Sequence, residues 1–168
     1  GSQSLRSKQE LFHKGDEATE LYVVVSGHLK VTTTSLDGND LMFAISGPGE
    51  VCGEIALLTQ WPRTATVRAL DATRLLTIGR RQLHKLLHAR PEVGIALLSV
   101  VATRVAKLSL LLEDTPFLNL PIRLARKLRD FGAIYGRSLD GASPGSIKID
   151  LKLSQEEWGD LVGTTRES

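Results

Sequence analysis

The chain has 168 residues, enough for one mid-sized domain or a compact domain with a small companion. Its composition, 42% hydrophobic and 24% charged, is that of an ordinary folded protein; the net charge of +2 supplies no global basic field, so any DNA contact must come from a local patch. The single cysteine, Cys52, excludes an internal disulfide and a cysteine-ligated cluster or zinc, and fits a reducing, cytoplasmic setting. No apolar run approaches the roughly 20 residues of a membrane span, and no signal peptide is visible. Gly1-Ser2 reads as a cloning remnant outside the fold.

Residues 9 to about 78 read as β structure. Leu21 to Val25 is an apolar run closed by the turn signal Ser26-Gly27. His28 to Thr34 is a second strand, Asp37-Gly38 marks a hairpin, and Leu41 to Ile45 follows up to Gly47-Pro48-Gly49. Thr64 to Leu70 and Arg74 to Ile78 form a further pair. Short strands punctuated by glycine predict a small barrel or sandwich, with Gly15, Gly27 and Gly38 as turn formers.

Between these strands lies the most informative segment, Val51 to Ala69. A Gly53-Glu54 turn opens a short apolar helical turn, Ile55 to Leu58, and a loop then brings Arg63 and Thr64 toward the next strand. Backbone donors at a helix start, a guanidinium and a hydroxyl suit a phosphate. A carboxylate nearby suits a sugar hydroxyl, so the segment describes a pocket for a phosphorylated ribose.

A short helix is expected at 80–89, and Pro91 opens a longer one to about Glu113. Its spine, Leu98, Val101, Val105, Leu108 and Leu112, steps by three and four like a coiled-coil seam. Such a seam suits either a meeting with another subunit or docking on the chain's own β domain. Thr115-Pro116 marks a domain boundary. An amphipathic helix carries Leu118, Ile122, Leu124 and Leu128 to about Gly132, and Ile147 to Leu151 alternates like a strand. Ser154 and Glu157 form a capping box for a helix from Gln155 to Val162, and Thr164 to Ser168 begins a further element and stops.

The segment Gly53-Glu54-Ile55-Ala56-Leu57-Leu58, followed by Arg63-Thr64-Ala65, closely resembles the phosphate-binding cassette of cyclic-nucleotide-binding domains. With the Ser154 to Glu167 pattern, which resembles the start of a winged helix-turn-helix, nearly the whole chain is similar to the cyclic-AMP receptor protein (CRP/FNR) family of bacterial transcription regulators. The resemblance implies an α+β fold: a cyclic-nucleotide-binding β-roll over 1–90, a dimerisation helix over 91–114, and a winged helix-turn-helix over 115–168 that is incomplete in its recognition helix.

The same resemblance implies the residue roles. Glu54 accepts from the ribose hydroxyl, Gly53 and Ile55 bring backbone to the sugar and phosphate, Arg63 grips the cyclic phosphate, Thr64 adds a hydroxyl, and Ala65 gives a backbone donor. Arg104 is the expected partner of Glu54, and Ser109 the expected purine contact across a dimer. Val31, Phe43 and Leu108 are expected to wall the base. Leu108 stands where well-known cyclic-AMP receptors carry threonine and cannot donate to the purine, which weakens the base-reading half of the site and leaves the phosphate half intact. Cyclic AMP is the expected ligand, and because Thr64 also suits the exocyclic amine of guanine, cyclic GMP is the alternative. Thr165, Arg166 and Glu167 begin the expected DNA-reading helix. The implied partners are the cyclic nucleotide, DNA, a second copy of the chain and RNA polymerase, in the cytoplasm and away from any membrane. No cofactor is expected and no catalytic set appears. Two other readings stay open: a regulator of the same fold that senses another signal, and a nucleotide-binding regulatory module without a DNA role.

The remaining polar residues read blandly. His84 and His88 share a helix face, but no carboxylate or cysteine completes a metal set, and His13 and His28 look isolated. Cys52 is expected to be a small buried filler. Trp61 is expected to cover the cassette loop and Trp158 to pack the helix-turn-helix core. The cluster Arg123, Arg126, Lys127 and Arg129 suits either a solvated face or DNA phosphates.

Overall fold

In the computed structural model, residues 1–34, 40–114, 120–138 and 146–162 are described. They divide into two compact units, Gly1–Lys107 and Leu108–Ser168. The expected hairpin at Asp37-Gly38 and the break at Thr115-Pro116 lie outside the described residues.

The first unit is the expected β-roll of two facing four-stranded sheets. One sheet places β1 (Ser2–Leu5) beside β8 (Thr73–Gly79), then β3 (Glu20–Ser26) and β6 (Val51–Cys52). The other places β2 (Glu10–Phe12) beside β7 (Thr66–Ala69), then β4 (Leu29–Thr34) and β5 (Asp40–Ser46). All of these pairings are antiparallel. Gly1-Ser2 is not outside the fold. Ser2 pairs with Leu76, and the Gly1 amine donates to the Thr77 carbonyl at 2.8 Å, because the exposed edge of β8 offers unpaired backbone groups.

The apolar run Leu21 to Val25 is a strand whose two faces are both covered. Successive side chains alternate across a strand. Tyr22 and Val24 therefore join Leu5, Leu29, Cys52, Val67, Ala69 and Leu75 between the sheets. Leu21 packs the other way, with Leu57, Leu83 and Leu97. Those three leucines come from α1 (Glu54–Thr59), α2 (Arg80–Ala89) and α3 (Pro91–Asp114), which close the outer face of the first sheet. Among the described residues, no single helix is long and apolar enough to cross a membrane.

The second unit contains α4 (Leu120–Tyr135), a hairpin of β9 (Gly136–Ser138) and β10 (Ile147–Ile149), and α5 (Gln155–Val162). α4 passes the expected stop at Gly132. Phe131 packs edge-on against Tyr135 at 5.6 Å and tilts against Trp158 at 5.8 Å. That packing outweighs the roughly 1 kcal/mol that glycine costs inside a helix. Trp158 thus packs as expected. The capping box forms: the Ser154 amide donates to Glu157 Oε2 at 2.9 Å, and the Glu157 amide to Ser154 Oγ at 3.2 Å.

Several local expectations change. Trp61 is 68% exposed and covers nothing, because the loop around it packs through Arg63. His28 is not isolated: its ring Nδ1 lies 2.8 Å from Asp71 Oδ2, and its amide donates to Asp71 Oδ1 at 2.7 Å, tying two turns together. His13 likewise pairs with Glu10, whose carboxyl is held below the usual range chiefly by a hydrogen bond from Arg68. His84 and His88 are both exposed.

Cys52 is 4% exposed, and burial pushes its thiol up to about 12. The reactive species is the thiolate. At pH 8 the native protein should therefore resist an aromatic disulfide reagent, with one equivalent of thiol appearing only in denaturant. Prompt labelling of the native protein would show that the space between the sheets opens readily.

Candidate functional site

The register of the second sheet builds an apolar wall. Phe12 pairs with Val67, and Val67 with Val31, so three apolar side chains stand in a row across β2, β7 and β4. From the first sheet, Tyr22 pairs with Cys52 at the start of the cassette. Between these walls lies a cavity of about 70 Å³. Gly53, Glu54, Ile55, Arg63, Thr64 and Ala65 all line it, together with Val31 and Arg104. Phe12, Cys52, Ala56 and Val67 also line it and had no place in the predicted site. The enclosed volume is well below the roughly 300–1,000 Å³ of typical small-molecule pockets, so it takes only part of a nucleotide unless side chains move.

Gly53 makes the cassette turn. It sits at φ 79° and caps α1, so Glu54 is the first residue of the helix, where a negative charge is favoured. Glu54 is nevertheless fully buried. Its Oε1 is paired with Arg104 Nη1, and Arg104 Nη2 donates to the Val51 carbonyl, so one side chain of α3 holds both ends of the cassette turn. Glu54 Oε2 is buried and has no partner.

Arg63, in the loop between α1 and β7, is 4% exposed. Its main chain is pinned to the loop before β3, with its amide donating to the Asp16 carbonyl at 2.8 Å and its carbonyl accepting from the Gly15 amide at 2.8 Å. The guanidinium turns inward: Nη1 donates to the Gly53 carbonyl at 2.9 Å, and Nη2 to the Glu20 carbonyl at 2.7 Å. Nε is buried without a partner. Two residues that line the cavity thus each carry a buried polar atom without a partner, the acceptor Glu54 Oε2 and the donor Arg63 Nε. Leaving such groups unpaired costs about 1–3 kcal/mol each and more when they are charged. Thr64 is exposed and Ala65 buried. The strand begins only at Thr66, because the Arg63 contacts hold the two preceding residues off the sheet.

The other predicted residues lie apart from this cluster in the chain. Phe43 stands on β5, with its side chain outside the described ones. Leu108 and Ser109 are on the part of α3 that belongs to the second unit. Thr165, Arg166 and Glu167 lie outside the described residues. In the basic cluster on α4, Arg126 and Arg129 are exposed, while Arg123 and Lys127 are half-buried. The contribution of Phe12 had no sequence signal, since it depends on a β2–β7 register that brings together residues 55 apart in the chain.

The model of the cyclic nucleotide-binding domain family matches residues 2–90. A CRP-like cAMP-activated global transcriptional regulator of Mycobacterium tuberculosis is 30% identical over 158 residues, covering 94% of this chain and 69% of that protein. The N-terminal domain of a transcriptional regulator from Streptomyces coelicolor A3(2) is 43% identical, with a TM-score of 0.53 over 65% of this chain and 76% of that one. The c-di-GMP responsive global regulator CLP of Xanthomonas campestris superposes with a TM-score of 0.80 over 99% of this chain and 81% of its own, at 24% identity, a likeness of fold. Fold and cleft together define a cyclic nucleotide-binding domain. The chain belongs to the CRP/FNR family of transcription regulators.

A Cβ on Gly53 would lie on Arg63 Nη1 and 3.3 Å from Arg63 Cζ, at a φ that other residues rarely adopt. Gly53→Ala should therefore destabilise the fold by about 1–3 kcal/mol in urea denaturation. It should also release Arg63 from the Gly53 carbonyl. An unchanged midpoint would mean that the turn yields without cost.

Proposed function

We propose that this chain binds a cyclic mononucleotide in the β-roll, cyclic AMP in the first instance with cyclic GMP the alternative, and couples that binding to DNA recognition. The observation that carries the reading is the pair of buried, unpartnered polar atoms of opposite character, Glu54 Oε2 and Arg63 Nε, on two residues that line one cavity. A ribose hydroxyl donates to the first and a phosphodiester oxygen accepts from the second. That the Mycobacterium tuberculosis relative is cAMP-activated supports the choice of nucleotide.

Coupling is a free-energy difference between two arrangements, each biased by the ligand. The Glu54 carboxylate is shared with Arg104 of α3, so a ligand taking the second oxygen acts on a group already tied to the long helix. On that helix Leu98 is 70% exposed and Val105 58%, and Leu108 is exposed too. A second copy of the chain would bury this seam. In the homodimer, Ser109 and Leu108 would meet the purine with Val31 and Phe43, and Thr165, Arg166 and Glu167 would open the DNA-reading helix. The domain limits expected from the sequence, 1–90, 91–114 and 115–168, belong to this reading. So do RNA polymerase as a partner and a cytoplasmic setting.

Calorimetric titration with cyclic AMP and cyclic GMP tests the assignment. The chain should bind at least one of them, and Arg63→Ala should weaken that binding by roughly ten- to a hundredfold, the equivalent of about 1.5–3 kcal/mol for a charge-assisted hydrogen bond. Affinity retained within about threefold would remove Arg63 from the phosphate site. Sedimentation at micromolar concentration should show a dimer, and Leu98→Glu with Val105→Glu should give a folded monomer.

A further inference from the structure

We propose that Phe12, backed by Tyr22, is a positioning residue: an aromatic bed that fixes the plane of the Arg63 guanidinium and so sets the affinity of the cleft for the phosphate. The proposal rests on the reading of Arg63 as the phosphate-binding group. The guanidinium carbon lies 4.1 Å from the Phe12 ring centroid and 5.6 Å from that of Tyr22. The two rings are stacked at 6.0 Å with 26° between their planes, and they come from opposite sheets, Phe12 from β2 and Tyr22 from β3. The Tyr22 hydroxyl donates to Glu20 Oε1 at 2.9 Å, on the same residue whose carbonyl accepts from Arg63 Nη2.

Each contact removes a different freedom. The aromatic face forbids tilting of the guanidinium plane. The Gly53 and Glu20 carbonyls forbid rotation within that plane. A Cβ built on Gly53 would come within 3.5 Å of Phe12 Cε1 as well as against Arg63, so the glycine, the ring and the guanidinium are packed as one unit. What remains is Nε, buried and unpartnered, on a residue that lines the cavity. An arginine free in solvent would lose about 2 kcal/mol of rotamer entropy on binding; here that loss has occurred on folding. A desolvated cation–π contact adds to the hold. The function of Phe12 is invisible to a reading of the cassette alone, because the ring lies 41 residues upstream of Gly53.

A double-mutant cycle on cyclic-nucleotide affinity separates positioning from pocket shape. Competition against a fluorescent cyclic-AMP analogue, run to millimolar competitor, measures weak binding too. Phe12→Leu keeps an apolar side chain but has no π face; it should weaken binding about tenfold, the scale of a desolvated cation–π contact. Phe12→Tyr should stay within about threefold of the unaltered chain. In an Arg63→Lys background, whose ammonium has no plane to hold, Phe12→Leu should change affinity by less than about twofold. Equal losses in both backgrounds would overturn the positioning role and leave Phe12 as a wall of the pocket. Arg63 Nε–H resonances of the ligand-free protein give a second readout: one ring-shifted, slowly exchanging signal should vanish in Phe12→Leu and persist in Phe12→Tyr. Failure of the unaltered chain to bind either cyclic nucleotide would sink the nucleotide assignment itself, and this role with it.

Discussion

The site depends on a guanidinium brought out of water and held on three sides. Burying the Arg63 guanidinium is tolerable only if most of its donors are used. Two backbone carbonyls and an aromatic face meet that requirement. They meet it incompletely, since Nε has no partner in the fold. The neighbouring carboxylate of Glu54 repeats the pattern: one oxygen serves Arg104 and the other serves nothing. Incomplete pairing of both charges is a cost to the fold.

The β-roll supplies the rigidity this arrangement needs. Tyr22 and Val24 point between the sheets while Leu21 points to the helices, so the central strand β3 is clamped on both faces. Glu20, at the start of that strand, offers its carbonyl to Arg63 from a position that cannot drift. The loop that carries Arg63 is therefore referenced to the core of the roll rather than to its own short helix. Six residues of helix, capped by a left-handed glycine, could not hold a buried charge alone.

Arg104 gives the roll its mechanical connection to the long helix. Its guanidinium spans Glu54 and the Val51 carbonyl, bracketing the glycine turn from outside. In the proposed function, a carboxylate shared between a ligand and this helix would make two equilibria depend on one another. In the second unit the same economy appears without charge: Phe131, Tyr135 and Trp158 form the aromatic contacts that pack α4 and let it run past Gly132.

Much of this was legible in the chain. The spacing of Gly53, Glu54, Arg63 and Thr64 announced the cleft, the run Leu21 to Val25 a strand, Pro91 a helix start, and Ser154 with Glu157 a capped helix, because each depends on residues close in sequence. Other features were not legible. Phe12 and Glu20 converge on Arg63 through strand register and sheet facing, to which no local pattern refers. Ser2 joined a strand because β8 had a free edge, and Trp61 stayed in solvent because the loop's buried anchor is an arginine. The amino-acid order thus determined which groups could meet a phosphate and a sugar. Tertiary packing alone decided which of their hydrogen bonds were used up and which were left unpaired, since that count depends on contacts between segments far apart along the chain.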